Sequence, residues 1–210
     1  MPKGLFITFE GIDGSGKSTM LKKLAAHIQG LGLDVVCTRE PGGSRLGREL
    51  RRLLLDSAYG SLDQRTETLF FAADRACHCT ETIVPALAAG KIVLSDRYTD
   101  STLAYQGGGR GLDPDLLQQL NAFATNGLQP DLTLLFTVGG ETALLRQGRS
   151  KDRMEREDTD FFQRVAQAYC QLAAAEPARI RVIDGELSPG RVFSQVLAEV
   201  APFLARVGQP

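Results

Sequence analysis

Between Leu5 and Gln29 the chain passes from a short apolar run, through a loop with glycine at three of six positions, into an amphipathic pattern. Gly4-Leu5-Phe6-Ile7-Thr8-Phe9 reads as a buried strand. Met20, Leu21, Leu24, Ala25 and Ile28 recur at helical spacing, closed by Gly30. The join, Gly11-Ile12-Asp13-Gly14-Ser15-Gly16-Lys17-Ser18-Thr19, fits GxxxxGK[ST]. Glycines let the backbone wrap tightly and aim its N–H groups inward at an anion, and the helix start adds unpaired N–H groups. In such a loop Lys17 reaches the β- and γ-phosphates of a nucleotide, and the Ser18 hydroxyl joins the shell of a magnesium ion.

The same alternation continues downstream. Strands are expected at Asp34–Thr38, Lys91–Ser95, Asp131–Thr137 and Arg179–Ile183. Helices are expected at Leu46–Leu55, Asp63–Ala89, Asp113–Ala124, Glu141–Gln147, Thr159–Ala174 and Arg191–Arg206. Alternating elements imply one α/β domain over residues 1–210, with an open, mainly parallel five-stranded sheet flanked by helices. Such sheets bind ligands beyond the carboxyl ends of their strands. The highly charged stretch from Gln147 to Asp160 reads as a mobile surface segment, and the triple glycine within Gly107–Gly111 as another.

A net charge of −1 argues against a broad electrostatic hold on nucleic acid or membrane, so phosphate recognition must come from local clusters. No apolar run reaches the length of a bilayer span, and the start of the chain lacks a signal-peptide core. Cys37, Cys77, Cys79 and Cys170 make no metal-ligand spacing, so Cys77-His78-Cys79 reads as structural and the compartment as cytoplasmic.

Polar clusters follow two strands. Arg39, in Thr38-Arg39-Glu40-Pro41-Gly42-Gly43, and Arg97, in Asp96-Arg97-Tyr98, stand at the binding edge, where paired guanidinium forks suit a phosphate dianion. Asp96 is placed to hold magnesium from the strand beside the loop. Phe71 and Arg75 lie four apart and share a helix face. They read either as a base-stacking ring with a donor one turn on, or as a core phenylalanine beside an exposed arginine.

Together the phosphate loop, Thr38–Gly43, Asp96-Arg97-Tyr98 with Ser101 and Ala104-Tyr105-Gln106, Pro130–Thr133 and the Arg149–Phe162 segment resemble the thymidylate kinases, nucleoside monophosphate kinases of the P-loop type. The resemblance spans about Gly4 to Ile183 and implies transfer of the γ-phosphoryl of ATP to dTMP, with Mg2+, in a cytoplasmic homodimer. It implies that Phe71 stacks on thymine, Arg75 meets its O4 edge, and Arg39 and Arg97 hold the dTMP phosphate. Asp13 would bond the sugar 3′-hydroxyl, Tyr105 would sit under the sugar, and Thr102 and Gln106 would complete the pocket. Gly14 stands where some relatives carry a catalytic arginine. The resemblance therefore assigns that charge to Arg153, from a lid at about residues 147–160 that also offers Arg149 and Arg156.

Two other classes compete. A deoxynucleoside kinase acting on a 5′-hydroxyl would want a carboxylate base and no arginine pair. A nucleotide-binding switch protein that reads guanine would want NKxD, which the chain lacks.

Overall fold

The computed structural model describes residues 4–146 and 153–207. Five parallel strands form one sheet: β1 (Leu5–Glu10), β2 (Val35–Arg39), β3 (Ile92–Asp96), β4 (Leu132–Thr137) and β5 (Ile180–Asp184), in the order β2-β3-β1-β4-β5. The central strand β1 is buried along its whole length, as expected of a parallel strand covered on both faces. In register, Phe9 faces Asp96 on β3 and Glu10 faces Leu135 on β4. The chain order therefore switches on either side of β1, and the phosphate loop that follows β1 emerges at that switch point.

Helix α1 (Lys17–Gly30) covers one face, with Met20, Leu24 and Ile28 packed on Ile7, Phe9 and Leu94. The last helix, α9 (Pro189–Val207), joins that cluster through Val192, Val196 and Val200. On the other side α8 (Thr159–Ala175) sets Phe161, Val165 and Tyr169 against Tyr105 and Leu135. Side-chain caps fix two entry points: Ser44 accepts from Gly47 N at 3.0 Å at the start of α2 (Arg45–Leu55), and Asp158 accepts from Phe161 N at 2.6 Å at the start of α8.

The long helical pattern from Asp63 to Ala89 is one continuous rod with a π-helical turn. It runs as α3 (Gln64–His78), the turn Cys79–Ile83, and α4 (Val84–Ala88). The triple glycine does not match the expectation of a flexible loop. Thr99–Thr102 forms α5, and Leu103–Gly109 continues it as a π-helix packed beneath α8. A Cβ on Gly108 would come within 2.5 Å of Ala168 Cβ, and one on Gly109 within 2.5 Å of the Phe161 ring. These glycines serve a close helix approach, where bare backbone replaces side chains. Among the described residues the remaining α-helices are α6 (Pro114–Thr125) and α7 (Gly140–Arg146).

Candidate active site

The phosphate loop has the build its sequence requires. Gly11 has φ 131° and Gly14 φ 82°, and a Cβ on either would lie 2.3 Å from a carbonyl oxygen, of Phe136 and Ala143 respectively. Only glycine meets both demands. Helix α1 starts after Gly16 with no side-chain cap and no acidic residue in its first turn, so its leading N–H groups are left for an anionic ligand. Lys17 is buried, and burial lowers its pKa. Its Nζ donates to Ile12 O at 2.9 Å and lies 3.9 Å from Asp13 Oδ1. Ser15 Oγ is buried with no hydrogen-bond partner among the described residues.

Beside the loop, Ser18 Oγ donates to Asp96 Oδ2 at 2.5 Å. No group of three metal-ligating side chains occurs among the described residues. One hydroxyl and one carboxylate suit Mg2+, which usually keeps waters and takes substrate phosphates as its other ligands.

Arg97 organises the next layer. Its backbone has φ 75°, a region uncommon for a non-glycine residue, and its amide donates to Phe9 O at 3.0 Å. This sharp exit from β3 turns the guanidinium toward the phosphate loop. Nη2 donates to Asp13 Oδ1 at 2.8 Å and to the Tyr105 hydroxyl at 3.1 Å, while Nη1 reaches Ser101 Oγ at 3.2 Å and the Tyr169 hydroxyl at 3.4 Å. Burial pushes the Asp13 carboxyl up, but the Arg97 and Lys17 charges outweigh it and hold the pKa at about 2.

Behind Arg97 lies Glu10, wholly buried, which accepts from Tyr98 N at 2.7 Å, Ser101 Oγ at 2.6 Å and the Tyr169 hydroxyl at 2.8 Å. Burial first, then the Asp100 charge, raises its pKa to about 7, against hydrogen bonds from Ser101 and Tyr169 and the charge of Arg97.

A cavity of about 170 Å³ opens next to Arg97, and its wall includes Asp13, Phe71, Arg75, Thr102, Tyr105 and Gln106. Phe71 is half-buried there. Arg75 is only 2% exposed. Its Nε and Nη2 both lie 2.8 Å from Glu40 Oε2, Nη1 donates to Thr102 Oγ1 at 2.8 Å and Asn121 Oδ1 at 2.6 Å, and Nη2 donates to Tyr98 O at 3.0 Å. Neither sequence reading of the Phe71–Arg75 pair anticipated this: the spacing is right, but the arginine is a buried strut as well as a wall. The site thus joins a phosphate grip to a half-apolar pocket through one arginine.

Comparison with known proteins gives that arrangement a lineage. The sequence profile described as thymidylate kinase matches residues 9–196. The chain belongs to the thymidylate kinase family. It is 49% identical to the thymidylate kinase of Desulfovibrio desulfuricans over 98% of this chain and 99% of that one. It is 50% identical to the thymidylate kinase of Pelotomaculum thermopropionicum over 93% and 92%. The crystal structure of thymidylate kinase from Ehrlichia chaffeensis superposes with a TM-score of 0.80 at 36% identity, over 95% of this chain and 99% of that one.

Two of the residues that the thymidylate kinase resemblance singled out stand elsewhere. Arg39 is exposed and lines a neighbouring cavity with Ser18, Lys22 and Asp96. Arg51 of α2 lines the cavity beside Arg97, and its Nη1 donates to Pro41 O at 2.8 Å. Arg51 escaped notice because a basic residue in an amphipathic helix looks like any solvated one. Arg153 is not presented to the phosphate loop: its Nη1 lies 2.7 Å from Glu67 Oε2 and its Nε donates to Leu54 O at 2.8 Å. The physical reason is Glu67, a carboxylate with no exposure that must be paired. Residues 147–152 of the expected lid, Arg149 among them, lie outside the described residues.

Glu10 and Tyr169 also went unnoticed, since nothing in a strand pattern or a helix pattern marks a buried carboxyl or its hydroxyl partner. Two residues of the Cys77-His78-Cys79 run make internal contacts. His78 bonds Glu40 Oε1 at 2.9 Å and Thr38 Oγ1 at 2.7 Å, and Cys79 Sγ lies 3.2 Å from the Tyr98 hydroxyl.

Proposed function

We propose that this chain transfers the γ-phosphoryl group of ATP to dTMP, giving dTDP and ADP. The observation that carries the reading is the Arg97–Asp13 contact, which joins the phosphate loop to the wall of the Phe71 cavity. Family membership supports the choice of acceptor.

Phosphoryl transfer needs positioning and charge neutralisation more than covalent chemistry. The loop amides from Gly11 to Thr19 and Lys17 hold the donor phosphates. Arg97 and Arg51 approach the acceptor phosphate, which is anionic at neutral pH and needs no strong base. Phe71 stacks on the base, and Tyr105 and Asp13 define the sugar's position. Arg75 reaches a base carbonyl only by sharing a donor it now gives to Thr102 or Asn121. Ser18 and Asp96 would hold Mg2+, which neutralises phosphate charge when bound.

The test is ADP release with dTMP, dUMP, dCMP, UMP and thymidine offered in turn. dTMP is expected to be the best acceptor, and faster turnover of thymidine would sink the reading in favour of a deoxynucleoside kinase.

A homodimer in the cytoplasm completes the proposal. Leu116 and Phe123, seven apart on α6 and 57% and 87% exposed, support a subunit contact, and four free thiols support a reducing compartment. No described helix is long and apolar enough to cross a membrane. Sedimentation of the wild type and Phe123→Asp tests the dimer, with a monomeric wild type as the contrary result.

A further inference from the structure

The first turn of α3 carries a carboxylate that no step above uses. Glu67 has no solvent exposure, yet four donor groups converge on it. Oε1 accepts from Gln106 Nε2 at 2.9 Å and Arg110 Nε at 3.2 Å. Oε2 lies 3.1 Å from Arg110 Nη2 and 2.7 Å from Arg153 Nη1. Gln106 belongs to the cavity wall, Arg110 closes the π-helical segment, and Arg153 belongs to the expected lid stretch.

We infer that Glu67 is a positioning residue, fastening Arg153 and the pocket-wall Gln106 to one buried carboxylate so that the acceptor pocket and the stretch from Arg153 to Glu157 are held as a unit. The inference rests on the dTMP kinase reading and deepens it.

Further observations support it. Glu67, Phe71 and Arg75 follow at four-residue steps on α3, so one helix face presents the anchor, the ring and the strut in line. Arg153 is 7% exposed and tied to the end of α2, through Nε to Leu54 O and through its amide to Leu55 O at 3.3 Å. Leu55 and Met154, the residue after Arg153, both line the acceptor cavity, so a lid segment detached from Glu67 takes part of the pocket wall with it. Arg110 makes a second tie between Glu67 and the same stretch, since it also pairs with Glu157 at 2.7 Å and lies over the Phe161 ring at 4.7 Å. Burial pushes the Glu67 carboxyl up, but the bonds from Arg110, Gln106 and Arg153 bring it below its ordinary range, so it is a carboxylate throughout the neutral region.

The test is steady-state kinetics of Glu67→Gln, Arg153→Met, Arg153→Lys and the Glu67→Gln/Arg153→Met double variant, each with a thermal melt. Each of Glu67→Gln and Arg153→Met is expected to raise the KM for dTMP about tenfold with the KM for ATP within about twofold of wild type. The double variant should be no worse than the poorer single by more than about twofold, because one contact has been removed twice. Arg153→Lys should recover most of the loss.

Multiplicative effects in the double variant would overturn the inference. So would a fall in kcat of about 10²-fold for Arg153→Met at unchanged KM, the mark of a guanidinium that meets the transferring group. Lowered melting temperatures with unchanged dTMP kinetics would reduce Glu67 to a packing residue and overturn it as well. If Glu67→Gln fails to fold, the Arg153→Met and Arg153→Lys pair still decides through the split between KM and kcat. A wild type without dTMP-dependent ADP release brings down both readings, whereas an active wild type with multiplicative variants overturns only this one.

Discussion

Arg97 Nη2 lies 2.8 Å from Asp13 Oδ1, so the arginine that leaves β3 in a left-handed turn is held by the third residue of the phosphate loop. In the proposed reaction the pair would fix the guanidinium between donor and acceptor sites before either substrate arrives, which is the preorganisation that electrostatic catalysis requires. Arg97→Lys keeps a charge but loses the planar fork and the simultaneous bonds to Asp13, Tyr105 and Ser101. It should lower kcat/KM for dTMP by about 10²-fold, read by coupled ADP release. A loss of less than threefold would show that charge alone suffices.

Phe71→Ala removes the ring from the acceptor cavity without touching the phosphate loop. The KM for dTMP should rise about tenfold or more while the KM for ATP holds, since a lost aromatic contact costs on the order of 1 kcal/mol beyond its buried area. Parallel rises in both constants would point to a disturbed fold.

Much of this site could be read along the chain, and what could not has a common cause. Phosphate loop, sheet class and the Phe71–Arg75 face follow from local periodicity and motif spacing, which short stretches of sequence carry. Glu10, Glu67, Arg51 and Tyr169 matter through partners 10 to 159 positions away. Such pairings exist only after the sheet has brought distant segments together. The glycines at 107–109 mislead for a related reason. A flexible loop and a close helix crossing require the same residue, and only the identity of the neighbour, here α8, separates them.

Glu10 makes stability depend on pH. Its carboxyl titrates at about 7 in the fold against about 4.5 in an unfolded chain. Between those values the folded chain keeps a proton that the unfolded chain has released, so stability falls as pH rises through the window. The swing is on the order of 3 kcal/mol. Denaturant midpoints at pH 5 and pH 7.5 measure it, and the drop should shrink in Glu10→Gln. Asp74, raised to about 6 chiefly by burial, titrates in the same window and supplies the remainder. An identical drop in Glu10→Gln would reject the assignment.

Ser18→Ala and Asp96→Asn each remove half of the hydroxyl–carboxylate pair at the loop. With Mg2+ held as proposed, each should raise the Mg2+ concentration for half-maximal rate by about tenfold or more, because so few protein ligands would share the ion. A Mg2+ titration of rate reads it, and unchanged titrations would move the ion elsewhere.

Gly108→Ala tests the helix crossing. Its Cβ would meet Ala168 Cβ at 2.5 Å and Arg164 O at 3.1 Å, and overpacking of this kind costs about 1–3 kcal/mol. Gly190→Ala in α9, with nothing within 4 Å, is the control and should be neutral or stabilising by up to about 1 kcal/mol. Equal melting temperatures for the two variants would remove the packing argument.

The contact between Gly14 and the Ala143 carbonyl, 2.3 Å from where a Cβ would stand, also bears on how this enzyme can change. A single codon change that placed an arginine at position 14 would meet the α7 backbone before its charge reached any ligand. The variant would be culled for its fold, whatever its promise as a catalyst. Helix α7 would have to retreat first, by changes neutral on their own, so the order in which the two mutations arise decides whether that lineage survives.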